Sequence, residues 1–242
     1  MSAESLQSYT VEMGGVPLLI VSRGAPVDAA RRGTLLVVHG LGASKEVNRP
    51  ELERFADAGF LAIGLDAVGH GERRYPDFEE RFALWSPHRE QAMIDTVVAT
   101  VHELPGLIDL LEGAALSHPG GLGLCGVSFG GFVGYGAAPS GRLNALVALI
   151  ASPLWRMDIP ENPARNVDRF YPCAVLSQVA GRDELVDPNQ ALEFHRQLEP
   201  SYAREPELLS FIEYPESAHF MRQEDWNAAL DRAIEWFRRF LV

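Results

Sequence analysis

The stretch that most constrains this chain is residues 122–131, Leu-Gly-Leu-Cys-Gly-Val-Ser-Phe-Gly-Gly. A short apolar run passes without a polar break into Gly126-Val127-Ser128-Phe129-Gly130, the Gly-x-Ser-x-Gly spacing of a serine held on a sharp turn from strand to helix. The spacing has a steric basis. A residue on such a turn adopts a strained backbone conformation, and side chains two positions before and after it would collide as strand becomes helix. In a chain with 22 Gly among 242 residues the five-residue pattern alone is a weak signal, so its weight comes from its surroundings.

Those surroundings alternate between strand and helix. Residues 9–13 and 16–22 are short extended runs joined by Gly14-Gly15, which predicts an antiparallel hairpin. Residues 34–39 are a continuous apolar, β-branched run, as expected of a strand buried on both faces, and residues 60–65, 122–126, 143–150, 173–180 and 209–214 read as further strands. Between them, residues 51–58, 88–113, 129–138, 189–198 and 223–240 carry apolar residues at helical spacing, with Pro105 predicted to kink the second or to start a new helix. Residues 26–33 read as a polar loop. Residues 72–87 are charged yet carry Tyr75, Phe78, Phe82 and Trp85, which suits either a partial lid or a surface loop pinned by its aromatics. With no internal repeat and no linker, the pattern predicts one α/β domain over residues 1–242, a mostly parallel eight-stranded sheet with helices on both faces.

Composition narrows the partners. A formal net charge of −12 disfavours nucleic acid and anionic membranes, both of which require clustered Lys and Arg. Cys125 and Cys173 are lone cysteines inside apolar runs and read as buried thiols of a reducing compartment. The first five residues carry no basic-then-apolar leader, and no apolar run approaches the length of a membrane span, so a cytoplasmic location is expected. The seven His form no metal-ligand pattern with acids or cysteines, and no Gly-x-Gly-x-x-Gly follows the first strands. Neither a metal nor a dinucleotide cofactor is implied.

In parallel sheets, sites form at the C-terminal ends of strands. There the chain places His39-Gly40-Leu41-Gly42, Asp66 with Gly69-His70-Gly71, the Ser128 turn, Gly181-Arg182-Asp183, and Ser217-Ala218-His219-Phe220. On these five segments the chain resembles the α/β-hydrolase superfamily over nearly its whole length. It is most similar to small capless esterases of the dienelactone hydrolase and carboxylesterase kind, and to the catalytic domain of prolyl-oligopeptidase-type enzymes. Ser128 is the candidate nucleophile and His219 the base that takes and returns its proton. The resemblance puts the orienting carboxylate at Asp183, with Asp187 as a rival that also suits the cap of the following helix. It assigns the oxyanion donors to the backbone N–H groups of Leu41 and Phe129. His39 is expected to shape that loop, Asp66 and His70 to brace their turn, and His88, His102, His118 and His195 to lie on surfaces or helix faces without partners.

The connection after residue 150 is too short for a large cap, so pocket walls are expected from Trp155, Met157, Phe220 and Trp85, with Phe129 beside the nucleophile. Such a lining suits a small, apolar carboxylic ester. The reading is therefore a serine hydrolase of the carboxylesterase type that forms an acyl-enzyme. A peptidase or thioesterase with the same triad, and a non-catalytic binding protein on the same fold, are the alternatives.

Overall fold

A computed structural model describes residues 5–241; Met1–Glu4, part of the stretch read above for a leader, and Val242 lie outside the described residues. Its frame is one eight-stranded sheet. In chain order the strands are β1 (Leu6–Met13), β2 (Val16–Arg23), β3 (Thr34–Val38), β4 (Leu61–Leu65), β5 (Leu122–Val127), β6 (Ala145–Leu149), β7 (Ala174–Ala180) and β8 (Leu209–Tyr214). Their spatial order is β1-β2-β4-β3-β5-β6-β7-β8. The Gly14-Gly15 hairpin sets β1 against β2, β2 pairs antiparallel with β4, and every later pairing is parallel. The mostly parallel eight-stranded sheet read from the sequence is the one observed.

The helices are α1 (Pro26–Ala30), α2 (Arg49–Asp57), α3 (Phe78–Arg81), α4 (Arg89–Gly113), α5 (Phe129–Ala137), α6 (Pro188–Leu198) and α7 (Gln223–Phe240). Because successive strand side chains point to opposite faces, each buried strand feeds two cores. Leu18, Ile20, Leu36 and Val38 pack with Ile94, Val97, Phe132 and Phe194 from α4, α5 and α6. Leu19, Val21, Leu35 and Val37 pack with Leu52, Phe55, Ile234 and Phe237 from α2 and α7. Gly123 lets α7 lie close on β5, since a Cβ there would stand 2.7 Å from the Phe237 ring.

Four local readings change. Residues 26–30, read as loop, form the five-residue α1, which is too short to show helical periodicity. Of the two expectations for Pro105, a new helix starting there is not observed: α4 is continuous across it. Its buried stripe, Thr100, Leu104, Leu107, Ile108 and Leu111, continues across the proline, and that packing offsets the roughly 3 kcal/mol an interior proline costs. His195 is buried in α6, where its Nε2 meets Ser177 Oγ at 2.7 Å, and Ser177 in turn meets Tyr135 OH at 2.5 Å. The expectation of an unpartnered surface histidine fails because Ser177, on β7, is 18 residues away in sequence. His102 likewise has a partner, Glu161, at 2.7 Å.

Both cysteines are free and buried, and burial pushes the Cys173 thiol up to about 12 and that of Cys125 higher still. Among the described residues, no helix is long and apolar enough to cross a membrane, and no group of three or more His, Cys, Asp or Glu could hold a metal ion.

Candidate active site

The turn between β5 and α5 carries Ser128 at φ 52° and ψ −113°. A non-glycine residue there stores about 1–3 kcal/mol of strain, so its surroundings must dictate the conformation. Ser128 N–H donates to Leu149 O (2.8 Å), while Ser128 O accepts from Gly131 N–H (2.8 Å) and Phe132 N–H (3.1 Å). The flanking glycines supply the room. A Cβ on Gly126 would land on the Gly130 carbonyl, one on Gly130 on the Val38 carbonyl, and one on Gly131 on Ala151. The turn is thus wedged between the ends of β3 and β6.

Ser128 Oγ lies 3.0 Å from His219 Nε2, and His219 Nδ1 lies 2.8 Å from Asp183 Oδ2. A ring nitrogen facing a carboxylate is the donor, which leaves the Nε2 lone pair to face the serine hydroxyl. Asp183 Oδ1 accepts from the N–H groups of Leu185 and Val186, both at 2.9 Å. These bonds fix the carboxylate, whose side chain is 2% exposed against 13% for His219. Asp187 instead caps α6, accepting from Asn189 N–H at 3.0 Å. Of the two candidate acids, the structure brings Asp183 to His219.

The loop after β3 passes beside the serine, with the Cβ direction of Gly40 pointing at Ser128 Cβ, 3.9 Å away. Leu41 and Phe129 both line the cavity at this point, and among the described residues neither backbone N–H has an acceptor. His39 pins the loop: Nδ1–H donates to Gly40 O (2.8 Å) and Nε2 accepts from Ala67 N–H (3.2 Å). Burial lowers its pKa, which suits a ring used as one donor and one acceptor. Behind it, the fully buried Lys45 ammonium meets Asp66 Oδ2 at 3.0 Å and also pairs with Glu46 and Glu72. Burial alone would lower the lysine's pKa, but these hydrogen bonds raise it above its ordinary value.

The cavity beside Ser128 has a volume of about 690 Å³. Trp155 and Phe220 line it, Trp155 buried against α5 and Phe220 at the rim, 89% exposed. Met157 and Trp85 do not, and here the sequence reading is corrected. Asn162 Nδ2–H donates to the Trp155 and Met157 carbonyls (2.8 and 2.7 Å), a turn that sends Met157 onto the core. Trp85 stands out in solvent, 79% exposed. Among the described residues, nothing in 72–87 lines the cavity; Phe78 and Phe82 pack on His70 and each other, and Arg74 lies over Phe78.

The sequence reading missed Met93 and Ile94 of α4, Phe132 of α5, Ile150, held at φ 48° just after β6, and Asn48, Glu51 and Trp226 on the opposite side. For Met93 and Ile94 the helical stripe was visible, but which strand end it flanks was not.

Strand order and strand-end site together define a class, and the comparisons place the chain within it. The chain belongs to the alpha/beta hydrolase family, whose model matches residues 35–241. It is 24% identical over 270 residues to YitV of Bacillus subtilis (strain 168), described as a candidate esterase, with 98% of this chain and 100% of that protein covered. Among solved structures, it is similar to TT1662 from Thermus thermophilus, with TM-score 0.79, 21% identity, and 96% and 98% of the two chains covered. A candidate dienelactone hydrolase from Klebsiella pneumoniae subsp. pneumoniae MGH 78578 matches with TM-score 0.75, 16% identity, and 98% and 99% coverage.

Proposed function

We propose that this hydrolase cleaves carboxylic esters of small, largely apolar substrates through an acyl-enzyme on Ser128. The observation that carries the reading is the continuous hydrogen-bonded chain Ser128–His219–Asp183, opening onto the cavity. His219 Nε2 accepts the Ser128 proton as Oγ attacks the ester carbonyl, and Asp183 holds the ring and stabilises the imidazolium. The N–H groups of Leu41 and Phe129 receive the developing oxyanion, whose charge exists only in the tetrahedral species. Collapse returns the proton to the leaving alcohol. Water then enters, gives its proton to His219, and releases the acid. The strained turn serves this chemistry by projecting Oγ clear of the backbone that crowds it.

An apolar wall of Met93, Ile94, Phe132, Leu154 and Trp155 supports an apolar group on the substrate, and a cavity of about 690 Å³ suits a small molecule. YitV, a candidate esterase matched end to end, supports the ester over the amide. The test is turnover of short-chain p-nitrophenyl esters, with aminoacyl amides and thioesters run alongside. Ester hydrolysis should dominate and should fall by about 10⁶ in kcat in Ser128→Ala. Undiminished turnover in that variant, or failure of a fluorophosphonate to label Ser128, overturns the reading.

A further inference from the structure

The cavity has two unlike sides. Toward α4 and α5 Met93, Ile94, Phe132 and Trp155 make it largely apolar, with Arg89 and Glu90 at the start of α4, and Trp155 Nε1–H is a buried donor without a partner among the described residues. Toward α2 and α7 it is formed by Val47, Asn48, Glu51 and Trp226. Asn48 is 5% exposed and Glu51 8%. Trp226 Nε1–H donates to Glu51 Oε1 at 3.0 Å, but Glu51 Oε2 and Asn48 Oδ1 are buried with no hydrogen-bond partner among the described residues. Each such acceptor costs about 1–3 kcal/mol, and folded proteins rarely keep one without a use. Here two stand three residues apart at the start of one helix, on the wall of the cavity that holds Ser128.

The lining cations are engaged elsewhere. Arg89 Nε–H donates to Phe82 O at 3.1 Å, and Arg156 lies 3.5 Å from Glu90. A bound group that donates at this wall satisfies both oxygens. We propose that Asn48 and Glu51 form a subsite for a primary ammonium group carried by the substrate. An ammonium brings three donors on one compact centre and can meet a carboxyl oxygen and an amide oxygen together, whereas a hydroxyl brings one. Of the acids lining the cavity, Glu90 lies 3.5 Å from Arg156 and Asp187 caps α6; Glu51 is the buried one, with an oxygen that lacks a partner among the described residues. The inference deepens the hydrolase reading, on which it rests for its meaning in turnover. Binding at this wall needs no chemistry and is measured apart from it.

The test follows the indole N–H resonances of the ¹⁵N-labelled chain during titration with n-butylammonium chloride and, separately, 1-butanol. Trp226, whose acceptor is Glu51, is assigned by Trp226→Phe. The ammonium should bind about tenfold more tightly than the alcohol and shift the Trp226 signal. Glu51→Gln, which keeps an acceptor for Trp226, should bring the two affinities to equality. Should that variant fail to fold, Asn48→Ala carries the test, with the preference falling severalfold. Equal affinities in the unmodified protein, or a preference undiminished in the folded variants, overturn the proposal. Fluorophosphonate labelling of Ser128 is read independently, so loss of the hydrolase reading and loss of the subsite are separate results.

Discussion

Two aspartate–histidine groupings stand at strand ends of this sheet, and they do opposite things with the same residue types. After β4, Asp66 is wholly buried and spent: Oδ1 accepts from Lys45 N–H (2.8 Å), Oδ2 from Lys45 Nζ (3.0 Å) and Glu72 N–H (2.9 Å). The adjacent His39 uses both ring nitrogens on backbone, and His70 donates to Val68 O (2.8 Å) amid Phe78, Phe82 and Phe129. After β7 and β8, Asp183 spends one oxygen on its own loop and the other on His219, whose second nitrogen faces Ser128 and the cavity. A grouping sealed from solvent fixes backbone, even though His70 Nε2 is left without a partner among the described residues; one whose free nitrogen faces a cavity open to solvent is available for proton transfer. Access separates the two, where residue identity does not.

The contrast breaks first at Asp183. Asp183→Asn can leave the ring in the wrong tautomer, and kcat for ester hydrolysis should fall by about 10³ to 10⁴; a loss below about tenfold would place the orienting acid elsewhere. Lys45→Met tests the other grouping. It strands a buried carboxylate and should lower unfolding free energy in denaturant titrations by about 3–5 kcal/mol, while a negligible change would mean that Asp66 is satisfied by backbone donors alone.

Acid probes the sealing itself. Burial holds His70 down to about 4, against an ordinary value of 6.5. The unfolded chain therefore takes up a proton that the fold refuses, and stability present above pH 6.5 is lost as pH falls toward 4. Between about pH 7 and about pH 5 this amounts to about 2 kcal/mol, and His195, also held near 4 by burial, adds a similar loss. Unfolding curves that superpose across that range would show that water reaches both rings.

How much of this was legible before the fold depended on range. The inner strands announced themselves because burial on both faces favours apolar runs, and β3 and β5 were readable almost to the residue. Strand β1 was placed three residues short, since its first residues are exposed and carry no alternation to read. Ser128 and its glycines were visible because the steric demand is local. The choice of Asp183 over Asp187 came from the resemblance and not from local sterics, because both sit on the same loop and the approach of the segment after β8 decides which one His219 meets. Asn48 and Glu51 were silent for a different reason. A polar residue and an acid opening a helix are ordinary capping chemistry, and Trp226, the residue that turns Glu51 into a wall of the cavity, comes 175 positions later.

The packing of α7 across Gly123 has a bearing on how the molecule is made. Synthesis delivers residues in order, so β5 and the Ser128 turn leave the ribosome well before His219 and Phe237 exist. Until then the central strand lacks its cover on one face and the serine lacks its histidine. The contact between Ser128 and His219 therefore forms late, and a nascent chain halted before residue 219 holds the turn without that histidine.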